Sequence, residues 1–187
     1  QELQAAFDAF AADSSQFVAV VTGTGDRAFC AGSDLKARDL GSAYPASGYA
    51  GLIERFDLDK PVIAAVNGLA LGGGFEVALA CDIIIASDDA LFCDPVVTMG
   101  VLGVEWFVHP WELGARKAKE FLFTADNWSA AEAHRLGMVN QVVPRADLQD
   151  TGEYRQIGQN DLWIAAICLA HAKPLVTRNA RHFSAIP

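Results

Sequence analysis

Apolar residues recur at two different spacings along this chain, and the switching between them lays out its elements. Leu3, Ala6, Phe7 and Phe10 fall at helical intervals, which predicts an amphipathic helix over residues 1–13. Phe17–Val21 is a short apolar run ending at Thr22-Gly23-Thr24-Gly25-Asp26, the pattern of a buried strand running into a turn. No strand precedes the first helix, so the chain reads as one that begins inside a domain. The longest patterned stretch is Lys60–Asp82. It opens with the β-branched run Val62–Val66, turns at Asn67-Gly68, and passes three glycines, Gly72, Gly73 and Gly74. A helical pattern follows, in which Phe75, Val77, Ala78, Leu79 and Ala80 surround one carboxylate, Glu76. Ile83–Ala86 and Ala90–Phe92 predict two further strands, and Trp111–Phe123 a helix with a basic face through Arg116, Lys117 and Lys119. Ser129 stands three residues before Glu132, a capping-box spacing, and opens a helix that closes at Gly137. Val139–Val143 is a last strand, stopped by Pro144. Leu52–Asp57 predicts a short helix, while residues 41–51 and 95–103 read as loops. Buried strands alternating with helices predict an α/β layout.

Composition narrows the class. With 187 residues, 52% hydrophobic and 20% charged, the chain can bury an ordinary domain core and is not disordered. A net charge of −9 with no basic run longer than a pair excludes nucleic-acid binding through bulk phosphate neutralisation. The charge is uneven: residues 151–187 hold two acids against four bases, a net of +2, which leaves −11 on residues 1–150. Cys30, Cys81, Cys93 and Cys168 lack metal-ligand spacing and sit in apolar surroundings, which favours buried free thiols and a cytoplasmic setting. The opening helical pattern is not that of a signal peptide, and no apolar run approaches the ~18 residues of a membrane span.

The candidate chemistry lies in the glycine run. A strand, then glycines, then a helix start leaves backbone N–H groups free at a helix end, where a developing negative charge is stabilised. Glu76, on the first turn, stands close enough to move a proton there. Gly32, in Ala28–Leu35 (AFCAGSDL), likewise lets backbone approach a ligand closely, and Asp34-Leu35-Lys36 looks like a helix start.

At AFCAGSDL and GLALGGGFEVALACD the chain resembles the crotonase superfamily of enoyl-CoA hydratase/isomerase-like proteins. The likeness spans residues 1–148: VVTGTGDRAFCAGSDL, KPVIAAVNGLALGGGFEVALACD, ALFCDPVVTMGVLGVEWF and SAAEAHRLGMVNQVVP, in the family's order. It implies a spiral of ββα turns, here truncated at its N-terminus. It also implies an acyl-CoA thioester substrate, no cofactor beyond the coenzyme A the substrate carries, and a homo-trimer or hexamer. Carried onto this chain, the amides of Ser33 and Gly73 would hold the thioester oxygen as it becomes an enolate. Glu76 would be the acid/base, and Ala28, Ala31, Asp34, Leu35 and Gly72 would line the coenzyme A side. The family's second glutamate is replaced by Val96, which cannot move a proton. Two-glutamate water addition therefore requires a carboxylate from elsewhere, Asp94 or Glu105, each of which reads equally well as loop structure.

Residues 151–187 resemble instead the C-terminal end of PIN-domain ribonuclease toxins, through NDLWIAA, LVTRN and the short HF segment. That resemblance makes Asp161 a Mg²⁺ or Mn²⁺ ligand with Asn179 beside it; the bland reading of Asp161 is a helix N-cap. The domain expectation is thus a crotonase-like domain over 1–150 joined to a PIN-like segment over 151–187. The competing functions are a metal-dependent ribonuclease toxin fragment and an inactive interaction piece. His109, among Trp106, Phe107 and Trp111, reads as an aromatic-cluster histidine. His134 reads as a surface residue, and the Arg116, Lys117 and Lys119 cluster as a solvated face or a contact for coenzyme A phosphates.

Overall fold

The computed structural model describes residues 2–34, 44–100 and 106–149. Two four-stranded sheets lie at its centre. The first has the order β1 (Ala19–Thr22), β3 (Val62–Val66), β5 (Ile83–Ser87), β8 (Gln141–Val143), all parallel. The second runs β2 (Ala28–Cys30), β4 (Leu69–Leu71), β6 (Leu91–Cys93), β7 (Trp128–Ser129), parallel except for the last pair. Successive passes of the chain give one strand to each sheet, β1 then β2, β3 then β4, β5 then β6. Between passes come α2 (Gly73–Leu79), then α3 (His109–Leu113) and α4 (Ala115–Thr124). This is the ββα spiral that the resemblance implies, within the α/β layout that the sequence pattern predicts.

β3 and β5, inside the first sheet, are buried on both faces, which is why they read as unbroken apolar runs. All five residues of β3 are buried. The larger core cluster joins β3, β4, α2, β6 and α4 through Val66, Ala70, Phe75, Phe92 and Phe121. Side chains lock the passes together. Asn67, just past β3, accepts from the Gly23 amide and donates to the carbonyls of Gly23 and Gly25. Asp82 accepts from the amide of Val62, and Asn140 from that of Ile84. Arg145 reaches back to Asp89 and to the carbonyls of Asp26 and Asn67.

The first helix, α1, runs Glu2–Ala12 and buries Phe7 and Phe10. Ser129 caps α5 (Ala130–Arg135) by accepting from the Glu132 amide, as its spacing predicts, and α6 (Arg145–Gln149) follows Pro144. Three expectations differ. The stretch over 52–57 forms turns rather than a helix. The basic helix over 111–123 is two helices, because Gly114, at φ 71°, breaks it. Strands β2 and β4 were not legible: three residues are too few for a periodicity to declare itself. Among the described residues, no helix is long and apolar enough to cross a membrane.

Candidate active site

Helix α2 is the part around which the site assembles. Its first turn lies against the end of β2 so closely that glycine is needed there. A Cβ on Gly74 would stand 2.1 Å from the carbonyl oxygen of Cys30. A Cβ on Gly32, whose φ is +84°, would lie 3.3 Å from the Gly73 nitrogen. The segment leaving β2 and the first turn of α2 thus meet backbone to backbone, which brings the Gly32-Ser33 peptide beside Gly73. Ala31, Ser33 and Asp34 are exposed along this edge, while Ala28, Gly72 and Gly73 are half-buried. Leu35 and Glu105 lie outside the described residues, as do Asp161 and Asn179.

Tyr49 completes this edge, and the sequence reading did not single it out. Its phenol end would be 2.6–2.7 Å from a Cβ on Gly73, and its hydroxyl lies 3.3 Å from the Ser33 hydroxyl. A tight turn presents it: Tyr49–Gly51 is one 3-10 turn, with Ala50 left-handed at φ 56° between Gly48 and Gly51, both at positive φ. The glycines on either side of an aromatic in SGYAGL were the available signal.

Glu76, one turn further along α2, points inward. It is 1% exposed and belongs to a cluster with Asp94 and His109, both 0% exposed. One ligand-type atom from each of the three lies within 4.8 Å of the other two, and among the described residues this is the group that could hold a metal ion. Asp94 follows β6 directly, where the carbonyl of Cys93 accepts from the Gly72 amide at 2.9 Å and so fastens the start of α2 to that strand. His109 opens α3. Its Nε2 stands 3.4 Å from Asp94 Oδ2, and no atom of either side chain completes a well-formed hydrogen bond among the described residues. The imidazole is wedged against the rings of Phe75 and Phe121, at 5.5 and 6.4 Å between centroids. It is an aromatic-cluster histidine as read, but its aromatic neighbours are not the adjacent Phe107 and Trp111, which are 67% and 79% exposed.

Val96 is half-buried in the turn after Pro95, and the Pro95 ring approaches the Cβ position of Gly72 at 3.9 Å. Arg116 and Lys119 are exposed, and Lys117 pairs with Glu120. His134 is exposed, as expected, and its Nδ1 lies 2.9 Å from the Val139 carbonyl, tying α5 to the chain that follows. Cys30, Cys81 and Cys93 are free thiols. Burial pushes the Cys81 thiol up to about 12, and burial followed by the charges of Asp94 and Asp126 raises that of Cys93.

Comparison with known proteins agrees with this architecture. The sequence model of the enoyl-CoA hydratase/isomerase family matches residues 1–173, and the chain belongs to that family. A carnitinyl-CoA dehydratase of Proteus mirabilis (strain HI4320) is 46% identical over 156 residues, 80% of this chain and 60% of that protein. The carnitinyl-CoA dehydratase of Salmonella enteritidis PT4 is 42% identical over 176 residues, 91% of this chain and 67% of that protein. Among solved structures, a carnitinyl-CoA dehydratase from Mycobacterium avium 104 superposes with a TM-score of 0.76 at 34% identity, covering 97% of this chain and 68% of that one. The enoyl-CoA hydratase from Bacillus anthracis gives 0.70 at 34% identity, covering 81% and 62%. The chain therefore spans about 60–67% of the length of these curated relatives. The family match carries past residue 150 to residue 173. The ribonuclease-toxin resemblance over 151–187, which assigned that stretch a different origin, is not supported.

Proposed function

We propose that this chain carries the thioester site of an acyl-CoA-processing enzyme, of lyase or isomerase type, that moves a proton at the carbon next to the thioester. The observation that carries the reading is the backbone contact between Gly32 and the first turn of α2. A Cβ on Gly32 would lie 3.3 Å from the Gly73 nitrogen, which supports reading the neighbouring Ser33 and Gly73 amides as a pair, with Glu76 further along the same helix. In this reading the two N–H groups hold the thioester oxygen while negative charge develops on it, a contribution of about 3–4 kcal/mol per donor. Glu76 takes the proton from carbon, leaving the C–H electron pair in the enolate, and returns it in the closing step. The family match and the carnitinyl-CoA dehydratase relatives support an acyl-CoA substrate, and the relatives' name favours loss or addition of water. The coenzyme A edge of Ala28, Ala31, Asp34, Leu35 and Gly72, and the homo-oligomer, belong to the same proposal.

Exchange of the α-protons of butyryl-CoA in D₂O, followed by NMR, tests the reading without presupposing the full reaction. Conversion of crotonyl-CoA, followed by loss of enoyl absorbance, tests water addition. Glu76→Gln is expected to slow exchange by about 10²–10⁴-fold. Wild-type exchange rates in Glu76→Gln would remove the proton-transfer role.

A further inference from the structure

Tyr49 stands where the two proposed donor residues come together. Its hydroxyl oxygen would lie 2.7 Å from a Cβ on Gly73, and it is 3.3 Å from the Ser33 hydroxyl. One side chain, presented by a separate turn, thus reaches both residues whose amides form the thioester edge. Tyr49 is half-buried, so a ligand arriving at that edge can meet it.

The turn that presents the phenol is strained and firmly held. Ala50, next in the chain, has a left-handed backbone at φ 56° and ψ 7°. Residues other than glycine rarely adopt that conformation, and it persists only where the surroundings impose it. Here they do. The amides of Leu52 and Ile53 both donate to the Tyr49 carbonyl, at 3.2 and 3.4 Å, and the Gly51 amide donates to the Gly48 carbonyl at 3.0 Å. Gly51 packs on α1 so closely that a Cβ there would stand 2.6 Å from the Gln4 Cα. Tyr44 meets the Tyr49 ring edge-on, at 5.6 Å between centroids, and both tyrosines make further interactions. Strain gathered in one turn beside the thioester edge fits a residue kept there for its side chain.

We infer that Tyr49 is a third hydrogen-bond donor to the thioester oxygen, acting with the Ser33 and Gly73 amides on the developing enolate. This rests on the thioester reading of that edge. A phenol suits the role, because with an ordinary pKa of about 10 it stays protonated at neutral pH. The thioester carbonyl is a modest acceptor, whereas the same oxygen carrying enolate charge is a strong one. Charge-assisted hydrogen bonds are roughly twice as strong as neutral ones, so the O–H turns to this oxygen as charge develops, whatever acceptor it serves beforehand. The phenol keeps its proton throughout, and the proton leaving carbon goes to Glu76. A donor that strengthens only as charge develops raises the rate and leaves ground-state binding almost unchanged.

Acetoacetyl-CoA is the probe, because its bound enolate is visible by ultraviolet absorbance and forms without turnover. Wild type and Tyr49→Phe are compared at neutral pH. The variant keeps the ring and loses the O–H, so the enolate-to-keto ratio of the bound probe should fall about tenfold or more. Its kcat for butyryl-CoA α-proton exchange should fall by a similar factor, with KM within about twofold of wild type. A residue that only packs would leave the enolate ratio at its wild-type value, and that result overturns the inference. A loss confined to KM also overturns it, since that is uniform binding. Should Tyr49→Phe fail to fold, ¹³C NMR of the wild-type chain carrying ζ-labelled tyrosine decides. The Tyr49 signal must move as the bound enolate forms, and a signal that stays put overturns the inference. The two readings fail separately. A wild-type chain that binds the enolate but exchanges no butyryl-CoA protons counts against Glu76 as acid/base and leaves Tyr49 in place. Equal enolate ratios remove Tyr49 and leave the thioester site, whereas a wild-type chain that binds no acyl-CoA removes both.

Discussion

Gly73 and Glu76 stand three residues apart on one helix, yet the regions they serve are built on opposite principles. The outer edge, where Gly32, Ser33, Gly73 and Tyr49 meet, works through backbone, and its sequence requirement is mainly the absence of side chains. The inner cluster of Glu76, Asp94 and His109 works through side chains, and its requirement is that three ionisable groups share a dry space. The first region tolerates exposure because peptide groups stay solvated until a ligand arrives. The second depends on burial, since water would weaken the interactions among its three polar groups. One short helix with a glycine start and an apolar body supplies both.

The comparison breaks first at neighbouring glycines. A Cβ on Gly74 meets the Cys30 carbonyl, which is backbone and cannot step aside, whereas a Cβ on Gly73 meets the phenol end of Tyr49, which can rotate. Gly74→Ala is expected to destabilise by about 3 kcal/mol, the upper part of the overpacking range, because α2 must part from β2; denaturant unfolding measures this. Gly73→Ala should cost far less stability, since alanine is the better helix former by up to about 1 kcal/mol. It should nonetheless lower acyl-CoA exchange by about 10²-fold by disturbing the donor edge. Equal stability losses in the two variants would end the distinction between a packing glycine and a site glycine.

Burial in the interior can be sharpened with pH. Cys81, at the far end of α2, is held protonated in the fold up to about 12 from an ordinary 9.0. A proton bound more tightly by the folded state stabilises it below pH 9, and that contribution is lost as pH rises from 9 towards 12. Thermal unfolding midpoints should accordingly fall across that alkaline window, and fall less steeply in Cys81→Ala. The smallest expected effect lies away from both regions: Ser129→Ala removes the acceptor for the Glu132 amide and should cost about 1 kcal/mol.

Much of this was legible in advance, for identifiable reasons. The β3–α2 unit could be read because a fully buried parallel strand is a continuous apolar run, and because a glycine run followed by helical periodicity has few other meanings. The Ser129 cap could be read because capping is local, set by residues three apart. Leu52–Asp57 was misread because its short apolar run closes into single turns, such as the Arg55 amide on the Leu52 carbonyl, rather than a continuous helix, and the break at Gly114 because one isolated glycine between apolar-patterned segments does not declare itself. The toxin-like reading of the tail beyond residue 150 rested on a few short motifs and is not supported, while the family match runs to residue 173.

The sequence alone thus determined the family, the buried strands β3 and β5, the glycines that must yield space and the place of Glu76 on the helix that follows them. These rest on local patterns and on residues whose chemistry has no substitute. Only the tertiary structure showed that Asp94 lies beside Glu76, that His109 faces it, and that Tyr49 lies over Gly73. Those four come from α2, the end of β6, the start of α3 and an isolated turn, separated by up to sixty residues. Their meeting is a consequence of how the passes of the spiral stack, which no spacing along the chain records.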